Sequence, residues 1–280
     1  MKKLLAIAFI ASLITTSCKE QMETNVSTND QKPDLETDVQ FANQAHQLVY
    51  DMVQNVGNYN QLLEKQNVIY TYTYQTPDGK TDQSTEMYQF EGELSYGAYQ
   101  KHERTFPDLT GTIVQGYDGT NYWLNHNNHN ILDEQKLKRV AFNRPTNYYW
   151  FTMMPKLLDP GVNYDYIKEE SIGDNTYDII KVSFESTDNS LKDIYQLYIN
   201  RDTKLVDQFL FTVADFNKME PSLMQMEYEN IDGLLIPTKR KYKASDWQGT
   251  VTDAPWIYVN WTDIKFNNDI NNQDFQNKAI

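Results

Sequence analysis

The sequence predicts an α+β protein, built on a strongly curved antiparallel β-sheet with an N-terminal helix and a central helical insert. Most of the chain after residue 67 alternates apolar and polar side chains with a period of two, which is typical of strands. The links between these stretches are short and rich in turn residues, so successive strands are expected to be antiparallel neighbours. The pattern indicates nine to eleven strands, a size at which open sheets curl strongly.

One helix precedes the predicted sheet. Apolar residues recur at helical spacing between residues 38 and 56, and Thr37 and Gln40 fit a capping box. Gly57 follows directly and suits the position after a helix C-terminus. The sequence therefore predicts a helix over residues 38–56 with one apolar face.

The strands are expected to form successive hairpins. Residues 67–75 alternate cleanly, and a Thr-Pro-Asp-Gly turn at 76–79 leads into the next strand. The further predicted strands are 86–91, 113–115, 122–125, 178–184, 194–199, 206–213, 223–228, 234–242 and 256–266.

The middle of the chain breaks the alternation. Residues 133–142 and 146–158 have apolar spacing closer to helical, with Pro145 at the expected start of a second helix. That second segment is apolar nearly all round, so it must be buried or must face an apolar ligand. The sequence predicts that it packs across the concave sheet face and lines a pocket there. The predicted ligand-binding residues are Tyr148, Tyr149, Trp150, Phe151, Met153 and Met154.

The first eighteen residues indicate export. Lys2 and Lys3 precede an apolar run over residues 4–14, which is too short to span a bilayer and predicts a cleaved signal over residues 1–17. Cys18 is the single cysteine of the 280 residues, and with the small residues before it this segment resembles the lipobox of bacterial lipoproteins. That resemblance implies acylation of Cys18 and a lipid-anchored protein of the bacterial envelope, at the outer membrane.

Charge and composition exclude some classes of partner and of stabilising cross-link. A formal charge of −14 disfavours nucleic acid as a partner. A lone cysteine excludes intramolecular disulfides, so the fold depends on its apolar core. Residues 18–36 are polar and aperiodic and predict a flexible tether, which leaves residues 37–280 as a single domain. Nothing in the sequence indicates a cofactor.

Two acidic or histidine-containing segments could carry chemistry. His126 and His129 have a spacing that can ligate zinc, but no third ligand is evident, and a polar hairpin loop explains them better. We therefore predict no metal site. Glu169 and Glu170 could act as glycosidase carboxylates, although solvated loop acids are the simpler interpretation. The sequence has no Gly-x-Ser-x-Gly nucleophile elbow, and we predict no enzymatic activity.

One basic cluster remains, formed by Lys239, Arg240, Lys241 and Lys243. It could meet a phosphate or an anionic head group. The favoured interpretation is an outward strand face that balances acidic neighbours.

Two phrases resemble a known family. Residues 194–211 read IYQLYINRDTKLVDQFLF, and residues 228–242 read YENIDGLLIPTKRKY. Both resemble strand–turn–strand segments of the LolA/LolB-like superfamily of outer-membrane lipoprotein carriers. The resemblance implies a half-barrel with helices in its mouth, which holds acyl chains on its concave face. It implies no catalytic residue. Two alternatives stay open: an envelope hydrolase with acids that the sequence does not place, and a structural or interaction lipoprotein with a fully packed core.

Overall fold

A computed structural model describes residues 39–186 and 189–278 of the protein. The described residues from Phe41 onward form one compact unit. The predicted signal over residues 1–17, Cys18 and the tether over residues 18–36 lie outside the described residues. The boundary of the predicted domain at residue 37 therefore stays a prediction.

The architecture is an antiparallel sheet with helices on one face. The helices are α1 (Gln44–Val56), α2 (Tyr59–Glu64) and α3 (Glu134–Lys156). The strands are β1 (Asn67–Gln75), β2 (Thr81–Gln89), β3 (Leu94–His102), β4 (Ile113–Tyr117), β5 (Tyr122–His126), β6 (His129–Asn130), β7 (Val162–Ile172), β8 (Asn175–Phe184), β9 (Ile194–Asn200), β10 (Val206–Val213), β11 (Lys218–Ile231), β12 (Leu234–Ala244) and β13 (Ile257–Phe266).

Within the described residues all thirteen strands belong to one sheet, in the order β6-β5-β4-β3-β2-β1-β13-β12-β11-β10-β9-β8-β7. Each pair of neighbouring strands in the sheet is also consecutive in the chain, with one exception. Strand β1 pairs with β13, and this pairing joins the two halves of the chain. The sheet ends at β6 and β7 and does not close. This arrangement confirms the predicted fold class.

The sheet must curve for strands of both its halves to contact α3. Thirteen flat strands would extend about 58 Å across, whereas the helix is about 35 Å long. Yet α3 packs on β5, where Val140 and Leu124 belong to one core cluster, and on β10, where the ring centroids of Trp150 and Phe211 are 5.4 Å apart. Both halves of the sheet therefore bend towards the same helix and produce a concave face.

Helix α1 begins later than the sequence predicts. Asn43 is its N-cap and accepts a hydrogen bond from the backbone N–H of His46, so Gln40 precedes the helix and Thr37 lies outside the described residues. Phe41 contacts the rings of His46 and Tyr50, which folds the entering chain back on the helix. The end of the helix is as predicted, with Gly57 in a positive-φ conformation at 95°.

The two helices predicted for the insert are one helix. Asp133 caps it, and the chain stays helical through Pro145. An internal proline removes one helical hydrogen bond and crowds the preceding turn. Tertiary contacts offset this cost, because the neighbouring Arg144 is fully buried and forms an ion pair with Glu86 of β2. The side chains of this pair lie over Gly97, where a Cβ atom would be 2.6 Å from Nη1 of Arg144.

The sequence patterns did not predict three of the strands. The described residues therefore contain thirteen strands instead of the predicted nine to eleven. Strand β7 lies at the sheet edge and is exposed at most positions, so the apolar alternation of Val162, Tyr164 and Tyr166 stops halfway along the strand. Strand β3 has the small residues Ser95 and Gly97 on its inward face, beneath α3. Strand β6 has two residues. Alternation depends on one buried apolar face, and these strands lack it.

The core lies between the sheet and the helices. The buried face of α1 and the C-terminal end of α3 pack on strands β7–β11, while Tyr148 and Phe151 of α3 pack on β1, β2 and β13. The connection between β12 and β13 covers the opposite, convex face with Trp247 and Trp256. Among the described residues, no helix is both long enough and apolar enough to cross a membrane.

Candidate ligand-binding cavity

A cavity of about 720 Å³ lies between α3 and the concave face of the sheet. This volume falls within the range of roughly 300–1,000 Å³ that small-molecule sites occupy. Strands from both halves of the sheet supply its walls, because the sheet curves around the helix. The core clusters of α1 and α3 fill the rest of the concave face.

One wall of the cavity is aromatic. Trp150 of α3 lies edge-on to Phe211 of β10, with ring centroids 5.4 Å apart, and Phe211 in turn contacts Tyr242 of β12 at 5.6 Å. Phe184 and Tyr195 extend this surface along β8 and β9. Large aromatic rings of this kind bind apolar groups by area and shape.

The structure separates the six predicted ligand-binding residues into two sets. Tyr149 and Trp150 line the cavity. The other four side chains are 2–5% exposed and pack in the core instead: Tyr148, Phe151, Met153 and Met154. The helix turns successive side chains by about 100°, so one turn can face both the core and the cavity. Ligand binding by any of the six stays a prediction.

An arginine with a counter-ion lies at the other side of the cavity. Asp82 of β2 accepts hydrogen bonds from Nη1 of Arg104 at 2.8 Å and from the hydroxyl of Thr105 at 2.8 Å. The Arg104 guanidinium also lies over the Tyr74 ring, 3.7 Å from its centroid. Because Asp82 is buried beside Arg104, the two charges neutralise each other within the cavity wall.

A second arginine has no counter-ion. Arg240 of β12 is 4% exposed, and its guanidinium stacks 3.6 Å from the centre of the Trp261 ring on β13. Its Nε and Nη2 atoms are buried and donate to no partner within the described part of the chain, where Arg240 also forms no salt bridge. Burial lowers the pKa of Arg240 to about 10, because the charged form loses hydration.

The position of Arg240 corrects the interpretation of the basic cluster. That cluster was predicted to be an outward strand face, and this is wrong for Arg240. Side chains alternate along β12, so Lys239 points outward to Glu227 while Arg240 points into the cavity. Lys241 and Lys243 lie over Trp256 on the convex side. The alternation of residues 238–242 contained this signal, because Thr238 and Tyr242 share the face of Arg240.

A half-buried acid, Asp193, lies in a third part of the cavity wall. Oδ1 of Asp193 accepts hydrogen bonds from the Thr212 hydroxyl at 3.2 Å and from the Ala214 backbone N–H at 2.7 Å. Burial raises the pKa of the Asp193 carboxyl above its ordinary value. No sequence pattern predicted that Asp193, Asp82 and Arg104 would line one cavity, because their positions depend on pairing between distant strands.

The other candidate residues lie outside this cavity. His126 and His129 sit in the tight β5–β6 turn, where their ring nitrogens hydrogen-bond to backbone carbonyls. Glu169 forms an exposed ion pair with Arg201. Within residues 39–186 and 189–278, no group of three or more His, Cys, Asp or Glu residues could hold a metal ion.

The chain is similar to several solved structures of low sequence identity. A LolA superfamily protein from Nitrosomonas europaea has a TM-score of 0.48 and 13% identity, covering 84% of this chain and 98% of its own. A DUF1329 family protein from Desulfovibrio piger has a TM-score of 0.48 and 12% identity, covering 82% and 95%. The lipoprotein LppX of Mycobacterium tuberculosis has a TM-score of 0.27 and 11% identity, covering 80% and 97%.

These likenesses concern the fold alone, and scores this low carry no functional argument. No protein-family model matches the sequence. No curated protein matches it either. The half-barrel implied by the sequence resemblance is confirmed as an architecture by the open antiparallel sheet, the N-terminal helix and the helical insert.

Proposed function

We propose that this protein binds a hydrophobic ligand with an acyl chain in the cavity between α3 and the concave sheet face. The observation that carries the proposal is the aromatic-walled space of about 720 Å³ beside Trp150, in a region that a packed core would fill. The cavity opens to solvent, so its aromatic wall is an accessible apolar surface, and concave surfaces of this kind are typical of ligand sites.

The proposed role is binding without catalysis. The two best-buried carboxylates of the cavity wall are already engaged, Asp82 with Arg104 and Thr105, and Asp193 with Thr212 and Ala214. A hydrolytic acid or base needs to reach a substrate atom within hydrogen-bond distance. These contacts favour a binding protein over the hydrolase alternative.

We further propose that the protein is anchored at the outer membrane of the bacterial envelope through acyl chains on Cys18. The charged n-region, the short apolar run and the lone cysteine support this address. An anchored binding domain would exchange its ligand with the neighbouring membrane.

Recovery of bound lipid tests the proposed binding. The protein is extracted from membranes with a mild detergent, and mass spectrometry identifies the lipids that stay bound after the detergent has been removed. We expect acyl lipids to co-purify with the wild type and to be reduced about tenfold in Trp150→Ala, because the aromatic wall is lost. Trp256→Ala removes the same side chain from the convex face and should retain the lipid. Equal recovery from both variants would contradict this site, and absence of lipid would favour the packed-core alternative.

A further inference from the structure

We propose that Arg240 is an anion-binding residue inside the cavity, and that the ligand is an amphiphile whose carboxylate or phosphate head binds this guanidinium. The inference rests on the proposed function and names the chemistry of the ligand. It depends first on geometry: a positive side chain, 4% exposed, lies in the wall of the cavity with no acidic partner among the residues described.

The surroundings of Arg240 supply no negative charge. The titratable groups with the largest influence on it are the hydroxyls of Tyr70, Tyr72, Tyr88 and Tyr242. Burial raises the pKa of each of these tyrosines, so they remain neutral at physiological pH. The carboxylates on strand β2, which is separated from β12 by β1 and β13, are engaged elsewhere, Asp82 with Arg104 and Glu86 with Arg144.

The unpaired donors form a suitable pattern. Nε and Nη2 are two nitrogens of one edge of the guanidinium, and both are buried without a partner in the described structure. Such an edge donates two parallel hydrogen bonds to the oxygens of a carboxylate or phosphate. The indole Nε1 of Trp261, the ring on which Arg240 stacks, is also buried and lacks an acceptor in the same ranges. Buried donors are nearly always satisfied in native proteins, and these three, on two stacked side chains of the cavity wall, are available to an acceptor that a ligand would supply.

The cavity continues from this charge into the aromatic wall. Trp261 and Arg240 lie on adjacent strands, and Tyr242, two residues along β12, contacts Phe211, which contacts Trp150. A ligand with its head at Arg240 would therefore place its chain along these rings. The whole chain is strongly acidic, so an anion is attracted by this local site and not by the overall charge.

Three probes of equal chain length separate the contributions of head and chain. Delipidated full-length protein is titrated with palmitic acid, hexadecyl phosphate and hexadecanol, and each dissociation constant is measured by displacement of a fluorescent fatty-acid analogue. We expect at least one anionic probe to bind the wild type about tenfold more tightly than the alcohol, because a charge-assisted bidentate contact forms only with an anion.

The variants assign that preference to Arg240. Arg240→Met should remove the preference and leave hexadecanol binding within about twofold, since the apolar wall is kept. Lys241→Met removes a neighbouring positive charge from the convex side and should change nothing. Should Arg240→Met fail to fold, Arg240→Gln, which keeps a donor but no charge, has the same expected result.

The outcomes separate the two proposals. Binding of all three probes with equal affinity, unchanged in Arg240→Met, would overturn the anion site and leave the hydrophobic cavity standing. Failure of all three to bind would overturn the proposed function itself. Preference for palmitic acid identifies a carboxylate ligand, whereas preference for hexadecyl phosphate identifies a phosphate ligand.

Discussion

Nη2 of Arg144 donates to Oε2 of Glu86 at 2.8 Å, and neither side chain has any exposed surface. The two residues are 58 positions apart, one in the long helix and one in β2. The hydroxyls of Ser84 and Tyr88 also donate to this carboxylate. The charges of Arg144 and Arg240 both lower the pKa of the buried Tyr70, yet of these two arginines only Arg144 has a carboxylate partner. One buried arginine thus anchors the helix to the sheet, and the other remains available to a ligand.

Glu86→Gln should destabilise the protein by about 3–5 kcal/mol, because the buried guanidinium of Arg144 loses its counter-charge. Urea unfolding followed by circular dichroism measures the free energy of unfolding. Glu227→Gln is the matched control, since Glu227 pairs with Lys239 on the surface. That variant should cost less than about 1 kcal/mol. Equal losses in the two variants would mean that the buried pair does not anchor α3.

Arg240→Met should stabilise the ligand-free protein by roughly 1–3 kcal/mol, because an apolar side chain replaces a buried charge that lacks a partner. The same denaturant titration, on delipidated protein, tests this. A residue that served the fold would show the opposite sign. Destabilisation by Arg240→Met would therefore argue that the guanidinium has an internal structural role.

Asp193→Asn should stabilise the protein at neutral pH, since burial raises the pKa of this carboxyl and its ionisation opposes folding. An asparagine Oδ1 can still accept from Thr212 and Ala214. Between the unfolded pKa and the raised folded pKa, the native state binds more protons than the unfolded state. The advantage of the variant should therefore shrink as the pH falls through the folded pKa. Unfolding titrations at several pH values measure this, and an advantage that grows in acid would contradict it.

Cys18→Ala should abolish incorporation of a palmitate analogue during growth, because Cys18 is the sole thiol of the chain and the predicted acylation site. Labelled protein is followed by gel fluorescence, and fractionation of membranes locates it. Undiminished labelling of the variant would reject the lipid anchor. Ser17→Ala retains a small residue before the cysteine and should label as the wild type does.

Local sequence patterns determined much of this fold. The two-residue alternation predicted β1 at its observed bounds and indicated most of the later strands, because half-buried strands carry their pattern in consecutive residues. Gly57 indicated the end of α1 for an equally local reason, because glycine readily adopts the positive φ that this position requires. Residues 148–154 are apolar on nearly all sides of the helix, and this predicted that the segment would be buried.

Only the tertiary structure decided which face of each element meets the cavity. Alternation placed Arg240 opposite Lys239 and Lys241 but could not tell which face was concave, since that depends on where the distant helix packs. The continuity of α3 through Pro145 likewise goes with tertiary packing that local sequence does not show, including the ion pair of Arg144 with the remote Glu86. Local periodicity relates residues to their neighbours in the chain. The cavity arises from contacts between residues far apart in sequence, and their energies outweigh the local preferences.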